Sequence, residues 1–360
     1  MHRWNPALTT LAAMTFALAA AAQDADRAEP RRSVPVVDLH VDLSYQVNYM
    51  ERSVHAASGQ LIAGELLEAG VYGLILPLYI PHDASPSGPR MVDIENSYAT
   101  MMRLLRKTPP YTLPGCQPGA ASVHTWFSFE GAAPFAGHAD LVQKWVNNGV
   151  RIWGLVHSHD NALASSAGLG KPRRGVKYGL TEQGRELVKS IHAAGGIVDV
   201  SHASDRAFAD IIELAKADHV PVVATHSNAR KLAHHARNLT DDQLREIAAV
   251  GGVVGINFHG EYLAVGRPAT LGDVVSHIRY IQNLVGIEHV GIGSDFEGSI
   301  DPPNGLEDVR GFPRLAEALR KAGLTEQQVQ QVFSGNVLRL LGCKAPAAPK
   351  STLAATTSPR

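Results

Sequence analysis

Seven acidic and imidazole side chains of this sequence stand just past, or at the end of, short apolar runs. His40 and Asp42 follow residues 34–39, Glu130 follows 123–129, and His157 follows 150–156. His202 follows 197–200, His226 follows 222–224, and Asp295 follows 290–292. Imidazole nitrogen and carboxylate oxygen are the donors that hold borderline divalent cations. The set suits Zn²⁺, and Mn²⁺, Co²⁺ or Fe²⁺ are compatible with it. His40 and Asp42 are two residues apart at a strand end, so both point to one side of the pleat and can share an ion. Glu130 can bridge two ions about 3.5–4 Å apart. Cations also compensate carboxylates that are costly to bury alone. The 17 His and 2 Cys of the chain favour imidazole over thiolate chemistry. Taken singly, each residue has a plainer role. A strand-end His can be structural, Asp295 a turn residue after Gly291 and Gly293, and Arg237-Asn238 a solvated loop with Asn238 capping the next helix. The joint placement carries the reading, because His2, His82 and His234 show no such position.

The elements that must position these residues are visible as an alternation. The strand-like runs are 34–39, 73–78, 123–129, 150–156, 197–200, 222–224, 252–256 and 290–292. They are mostly apolar rather than alternating, as strands of a covered parallel sheet should be. Helical patterns lie between them. Residues 181–194 place Leu187, Val188 and Ile191 on one face and stop at Gly195-Gly196. Residues 241–250 and 271–285 read similarly. Near the end, Thr325 and Gln328 predict a capping box, with Leu324 and Val329 as its hydrophobic staple. The alternation predicts an α/β fold, a (β/α)8 TIM-like barrel, whose strand C-termini converge on one rim. An open doubly wound sheet is the competing architecture. It lacks its glycine-rich phosphate turn here, since the first run leads straight into His40-Val41-Asp42.

Composition narrows the function classes. The 360 residues carry 33 Lys+Arg against 34 Asp+Glu, so the basic excess of a nucleic-acid binder is missing. With 45% apolar and 19% charged residues the chain is neither collagen-like nor disordered. His2 and Arg3 precede an apolar run over 7–22 broken only by Thr, which predicts a signal peptide over 1–22. An uncleaved anchor helix is the alternative. A linker over 23–33, a catalytic domain over 34–343 and a disordered tail over 344–360 complete the expected organisation. No later run is long and apolar enough to span a bilayer, so the expectation is an exported protein, periplasmic or secreted. Cys116 and Cys343 can then form one disulfide, and two separate thiols are equally open. The oligomeric state is also open, a homodimer included.

Several segments resemble the membrane dipeptidase (renal dipeptidase, peptidase M19) family, a relative of the amidohydrolase-like metal-dependent barrels. They are Asp38-Leu39-His40-Val41-Asp42, Phe129-Glu130-Gly131, Asn148-Gly149-Val150-Arg151 leading to His157-Ser158-His159-Asp160-Asn161, and Gly179-Leu180-Thr181. Further along come Asp199-Val200-Ser201-His202, Thr225-His226-Ser227, Arg237-Asn238-Leu239-Thr240-Asp241-Asp242, Gly291-Ile292-Gly293-Ser294-Asp295-Phe296, and Gly335-Asn336-Val337-Leu338-Arg339. The resemblance covers residues 36–341 and implies a binuclear zinc dipeptidase. In it His40 and Asp42 hold one zinc, His202 and His226 hold the other, and Glu130 bridges them. His157 and Arg237 match the family's substrate-binding residues, and Asp295 its proton-handling carboxylate. The implied chemistry is attack by a hydroxide shared between the zinc ions, with His157 bonding the oxyanion and Arg237 clamping the dipeptide's carboxylate. The departures are Ala236, where Pro is frequent, Glu297, where Asp is common, and His159-Asp160 in a variable segment; they bear on substrate preference, not on ligands. A lactonase, an N-acyl amino acid amidase or a β-lactam hydrolase on the same barrel is the alternative. Many of those use a carbamylated Lys where this chain has Glu130. A non-catalytic zinc- or peptide-binding protein is disfavoured, because no site residue is missing.

Overall fold

Short runs rich in Val and Ile form the strands where the alternation places them, and all of them run parallel. The computed structural model describes residues 33–84, 88–116, 122–168 and 178–344. The expected signal peptide lies outside the described residues, as do the linker and tail but for their inner ends. The strands are β1 Val36–Asp38, β2 Val71–Pro77, β3 Tyr111–Pro114, β4 Val123–Glu130 and β5 Val150–Gly154. They continue as β6 Ile197–Asp199, β7 Val222–Ala224, β8 Val253–Ile256 and β9 Val290–Ile292. Neighbours run β2-β1-β9-β8-β7-β6-β5-β4, and β2 pairs with β4 to close the ring. This is the (β/α)8 barrel the alternation predicts. The addition is β3, which pairs with the start of β4 through Tyr111↔Val123 and Pro114↔Thr125. Its sequence, Tyr-Thr-Leu-Pro, is short, partly exposed and ends in Pro, so it carries no core-strand signal.

The helices are α1 Leu43–Tyr49, α2 Met91–Leu105, α3 Val142–Asn147, α4 Glu182–Ala193, α5 Asp205–Asp218 and α6 Asp241–Ala249. After them come α7 Gly260–Leu263, α8 Leu271–Val285, α9 Phe312–Lys321, α10 Glu326–Gln330 and, past a π turn at Gln331–Gly335, α11 Asn336–Leu340. Side-chain caps set several starts. Thr181 accepts from the Gly184 N–H, Ser204 from Ala207, Thr240 from Gln243 and Thr325 from Gln328. The Thr325–Gln328 pair closes the expected capping box. At α6 the cap is Thr240 rather than Asn238.

Two apolar layers hold the barrel. One lies between strands and helices; the other fills the interior with Val37, Leu39, Ile75, Trp126, Ile152 and Val223. Gly73 makes room for that filling, since a Cβ there would lie 2.7 Å from the Trp126 ring. Helix α11 closes the floor. Val337 and Leu338 join the interior layer, and Asn336 and Arg339 donate to carbonyls at the N-terminal ends of β8 and β9. Cys343, just past α11, is disulfide-bonded to Cys116, just past β3, with Cα atoms 5.6 Å apart. That settles the pairing the sequence left open. With the floor packed, polar chemistry is confined to the opposite rim. Among the described residues no helix is long and apolar enough to cross a membrane.

Candidate metal centre and substrate pocket

The rim is organised by two strand-end aspartates that turn back on the chain. At the end of β1, Asp38 Oδ1 accepts from the backbone N–H of His40 (3.1 Å) and of Ser294 (2.9 Å). At the end of β6, Asp199 Oδ1 accepts from the N–H of Ser201 (2.9 Å) and of Thr225 (3.0 Å). Each carboxylate thus fixes how its own strand exits and ties that exit to the neighbouring strand's. Burial pushes the Asp38 carboxyl up to about 6, against the hydrogen bonds from Ser294 and His40.

These exits bring the expected residues together around one oxygen. Glu130 Oε1 lies 3.0 Å from His202 Nε2, 3.4 Å from His40 Nε2, 3.5 Å from His226 Nε2 and 3.9 Å from His157 Nε2. Asp42 Oδ2 is 3.5 Å from His40 Nε2. Donor atoms within 4.8 Å of one another form the sets His40–Asp42–Glu130 and Glu130–His202–His226, which share Glu130. A third set is His40, His226 and Asp295. The residues fit a pair of divalent cations. His40 Nε2 is buried with no hydrogen-bond partner among the described residues, and the Nε2 atoms of His202 and His226 face each other at 2.9 Å. Two imidazole nitrogens converging on buried carboxylates form a nitrogen–oxygen donor set of the kind zinc takes.

Electrostatics divides the cluster: His40 holds a proton that a cation would displace, while His202 and His226 do not. Burial alone would lower His40, but Glu130 and Asp42 outweigh it and hold the ring well above its usual pKa. Burial alone would raise Glu130, but His157 and His40 hold it well below the carboxylate range. Burial, with the Arg237 charge, pushes His202 well below its usual value, and the same happens at His226 with His40 adding to it. Both rings are therefore neutral, the form that ligates. Burial raises the Asp295 carboxyl well above its usual range; His40 opposes this, while Asp42 and Glu130 add to it. A carboxyl shifted toward neutrality is suited to carry a proton.

Asp295 sits in a strained loop, with φ values of 65° at Asp295, 72° at Glu297 and 61° at Ser299. The loop is held because the Asp295 N–H donates to His40 O (3.0 Å) and the Asp42 N–H to Phe296 O (2.8 Å). Asn257 Nδ2 donates to Asp295 Oδ2 at 2.9 Å. Glu297 Oε1 accepts from the N–H groups of Gln60 (2.8 Å) and Leu61 (2.5 Å), and its other oxygen pairs with Arg52. The Glu at this position thus reaches across to fix the segment before β2.

Arg237 is only 2% exposed, which overturns the solvated-loop alternative. Its Nη2 donates to His226 O at 3.3 Å, and its buried Nε and Nη1 have no partner among the described residues. Its guanidinium lies 5.8 Å from the Tyr262 ring centroid. Asn238 anchors this loop from inside, donating to Ala233 O and Tyr262 O, both at 2.8 Å. Arg237, His157, Asp295, Asp42, Glu130, His202 and His226 face one cavity of about 270 Å³, also lined by Tyr45, Tyr79, His259 and Tyr262. Tyr79, Asn257 and His259 were not singled out in the sequence. Each lies just past a strand, β2 or β8, so the strand-end rule applied to those two runs finds them. Tyr45 and Tyr262 lie on α1 and α7, where no sequence signal marks them.

Fold and site together define a (β/α)8 barrel of the metal-dependent hydrolase type. Residues 27–352 match the membrane dipeptidase family, peptidase family M19, and the chain belongs to that family. A dipeptidase of Aspergillus oryzae, aclJ, is 36% identical over 222 residues, which are 61% of this chain and 51% of that protein. The chain thus aligns with about half the length of that relative. A metallopeptidase from Rhodobacter sphaeroides, solved with a phosphinate mimic of the dipeptide L-Ala-D-Ala, is 26% identical with a TM-score of 0.75, covering 86% of this chain and 99% of its own. The solved M19 metallopeptidase called dipeptidase AC is 27% identical with a TM-score of 0.76, covering 86% of this chain and 98% of its own.

Proposed function

We propose that this protein is an exported binuclear zinc dipeptidase. The observation that carries the reading is Arg237, a buried guanidinium whose Nε and Nη1 have no partner among the described residues, in a cavity of about 270 Å³ also lined by Asp42, Glu130, His202 and His226 of the two donor sets. A buried cation without a carboxylate partner calls for an anionic ligand, and a cavity this small admits a dipeptide rather than a long chain. His40, Asp42 and Glu130 would hold one zinc; Glu130, His202 and His226 the other. Such a pair would supply Lewis-acid chemistry, making water acidic enough to attack near neutral pH and polarising the scissile carbonyl. Arg237 clamps the free carboxylate of the substrate and so sets the scissile bond one residue away. His157 is depressed by burial and by Arg237, hence neutral, and donates from Nε2 to the oxygen that develops negative charge. Asp295 takes the proton from the attacking water and delivers it to the leaving amine. Export is supported by the Cys116–Cys343 disulfide and by the apolar run at 7–22.

The test is hydrolysis of Gly-Leu, Ala-D-Ala and an N-acetylated dipeptide, with metal content measured on the same sample. Zinc near two per chain, turnover of the free dipeptides and loss on chelation are expected. Two zinc ions without dipeptide turnover would point to an acyl-amide or lactone hydrolase, and no bound metal would refute the centre itself.

A further inference from the structure

Among the residues that line or hold the rim, one hydroxyl has an arrangement that the reaction described above does not use. Thr225 follows β7 and is fully buried. A single carboxylate grips it twice. Asp199 Oδ1 accepts from its backbone N–H at 3.0 Å, and Asp199 Oδ2 accepts from its hydroxyl at 2.5 Å. Its carbonyl is wedged between two glycines, since a Cβ at Gly255 or Gly293 would collide with that oxygen. The same hydroxyl oxygen lies 2.8 Å from His226 Nδ1 and 3.4 Å from His40 Nδ1.

A hydroxyl has one proton and two acceptor lone pairs. Asp199 Oδ2 takes the proton, so toward both imidazoles the Thr225 oxygen can only accept. Both rings must then carry a proton on Nδ1, so Nε2 of each is the nitrogen that faces the cluster: a lone pair on neutral His226, and on His40 the position whose proton a cation would displace. We propose that Thr225, gripped by Asp199, is a positioning residue that sets the tautomer of both His226 and His40 and so readies them to ligate. The inference rests on the metal-centre reading and adds to it a residue that touches neither metal nor substrate. His202 marks the contrast: its Nδ1 is buried and has no partner among the described residues, so none of them fixes that ring in the same way.

The polarity of the chain makes a sharp prediction for Asp199. Its Oδ1 already accepts from the Ser201 N–H, the Ser201 hydroxyl and the Thr225 N–H. In Asp199→Asn the amide oxygen must stay there, which turns the NH₂ toward the Thr225 hydroxyl. That hydroxyl then turns its proton to His226 Nδ1 at 2.8 Å, which is closer than Ser201 Oγ at 3.2 Å, and the ring tautomer reverses. A side chain of nearly unchanged shape should therefore do as much damage as removal of the hydroxyl.

The experiment measures zinc affinity by competition with a chromophoric chelator for wild type, Thr225→Val, Thr225→Ser and Asp199→Asn. Imidazole ¹⁵N shifts of the zinc-free proteins are recorded in parallel. Thr225→Val and Asp199→Asn are expected to weaken zinc about 10- to 100-fold, as loss of an imidazole's outer partner does. Thr225→Ser should restore affinity, and wild-type His226 should show a protonated Nδ1. Equal zinc affinity in wild type and Thr225→Val, or a wild-type His226 protonated on Nε2, would overturn the inference. A wild type that binds no zinc would instead refute the dipeptidase reading, and the ¹⁵N shifts would still judge Thr225. Thr225→Ser guards against a folding artefact, because it keeps the hydroxyl while losing only a methyl group.

Discussion

Replacing Arg237 by Met keeps an unbranched apolar stem and removes the charge, so it isolates the clamp. Nε and Nη1 of Arg237 are free to bond a carboxylate, and the only hydrogen bond its guanidinium makes among the described residues is the 3.3 Å contact to His226 O. One hydrogen bond to a charged group is worth about 1.5–3 kcal/mol. At about 1.4 kcal/mol per factor of ten, losing one such bond raises KM roughly 12- to 140-fold. The contact is present in ground state and transition state alike, so kcat should change little and the loss should appear in KM. Initial rates on Gly-Leu and on its C-terminal amide, each with wild type and variant, complete the cycle. The amide lacks the carboxylate, so the variant should handle it nearly as well as wild type does. Removing a buried charge that has so little compensation should leave the melting temperature unchanged or raise it. A KM for Gly-Leu within about twofold of wild type would refute the clamp. So would an equal loss on dipeptide and amide, since the damage would then come from distortion.

Asp295→Asn should retain zinc, as measured by metal analysis, and lose most of kcat; full activity would remove Asp295 from proton transfer. Gly298→Ala should lower activity about 100-fold with a folded protein by circular dichroism, because its Cβ would lie 2.7 Å from both Asp42 Oδ2 and Asp295 Oδ1. Asp273 caps α8 by accepting from the Thr270 N–H, and its bonds to Arg267 and Thr270 hold its carboxyl down at about 2. A depressed carboxyl stabilises the fold above its unfolded pKa of about 3.9, and that contribution is lost as pH falls toward 2. Asp273→Asn should therefore cost stability at pH 7 and flatten the acid limb of a denaturation series; an unchanged limb would contradict the assignment. Cys116→Ser should lower stability by up to about 5 kcal/mol by chain entropy, read by urea denaturation, because the bridge spans 227 positions.

The strand-end residues were legible because a parallel barrel converts one local pattern, an apolar run followed by a polar residue, into one shared place. His40, Asp42, Glu130, His157, His202, His226 and Asp295 all obey it, and the helix caps at Thr181 and Thr325 are equally local. What escaped notice depends on contacts that no spacing reports. Asp38 and Asp199 end apolar runs and look like the last residues of strands; their work is to accept N–H groups from a neighbouring strand. Arg237 is marked in the sequence by the family resemblance alone, and only the folded chain reveals that its guanidinium is enclosed. Strand β3 is defined by its pairing with β4 rather than by its own composition. The Cys116–Cys343 pairing depends on α11 closing the floor, a tertiary event.

That disulfide changes the connectivity of the molecule. From Cys116 to Cys343 the backbone and the bridge form a covalent macrocycle, and it contains Glu130, His157, His202, His226, Arg237 and Asp295. Of the candidate metal ligands only His40 and Asp42 lie on the arm that enters it, together with Tyr45 and Tyr79 of the cavity wall. A protease that nicks one exposed loop inside this ring would open the circle without releasing a fragment, and most of the site would stay on one covalent piece. Under reducing conditions the same nick would let the halves part. In an oxidising, protease-rich setting the barrel can thus survive a first cut.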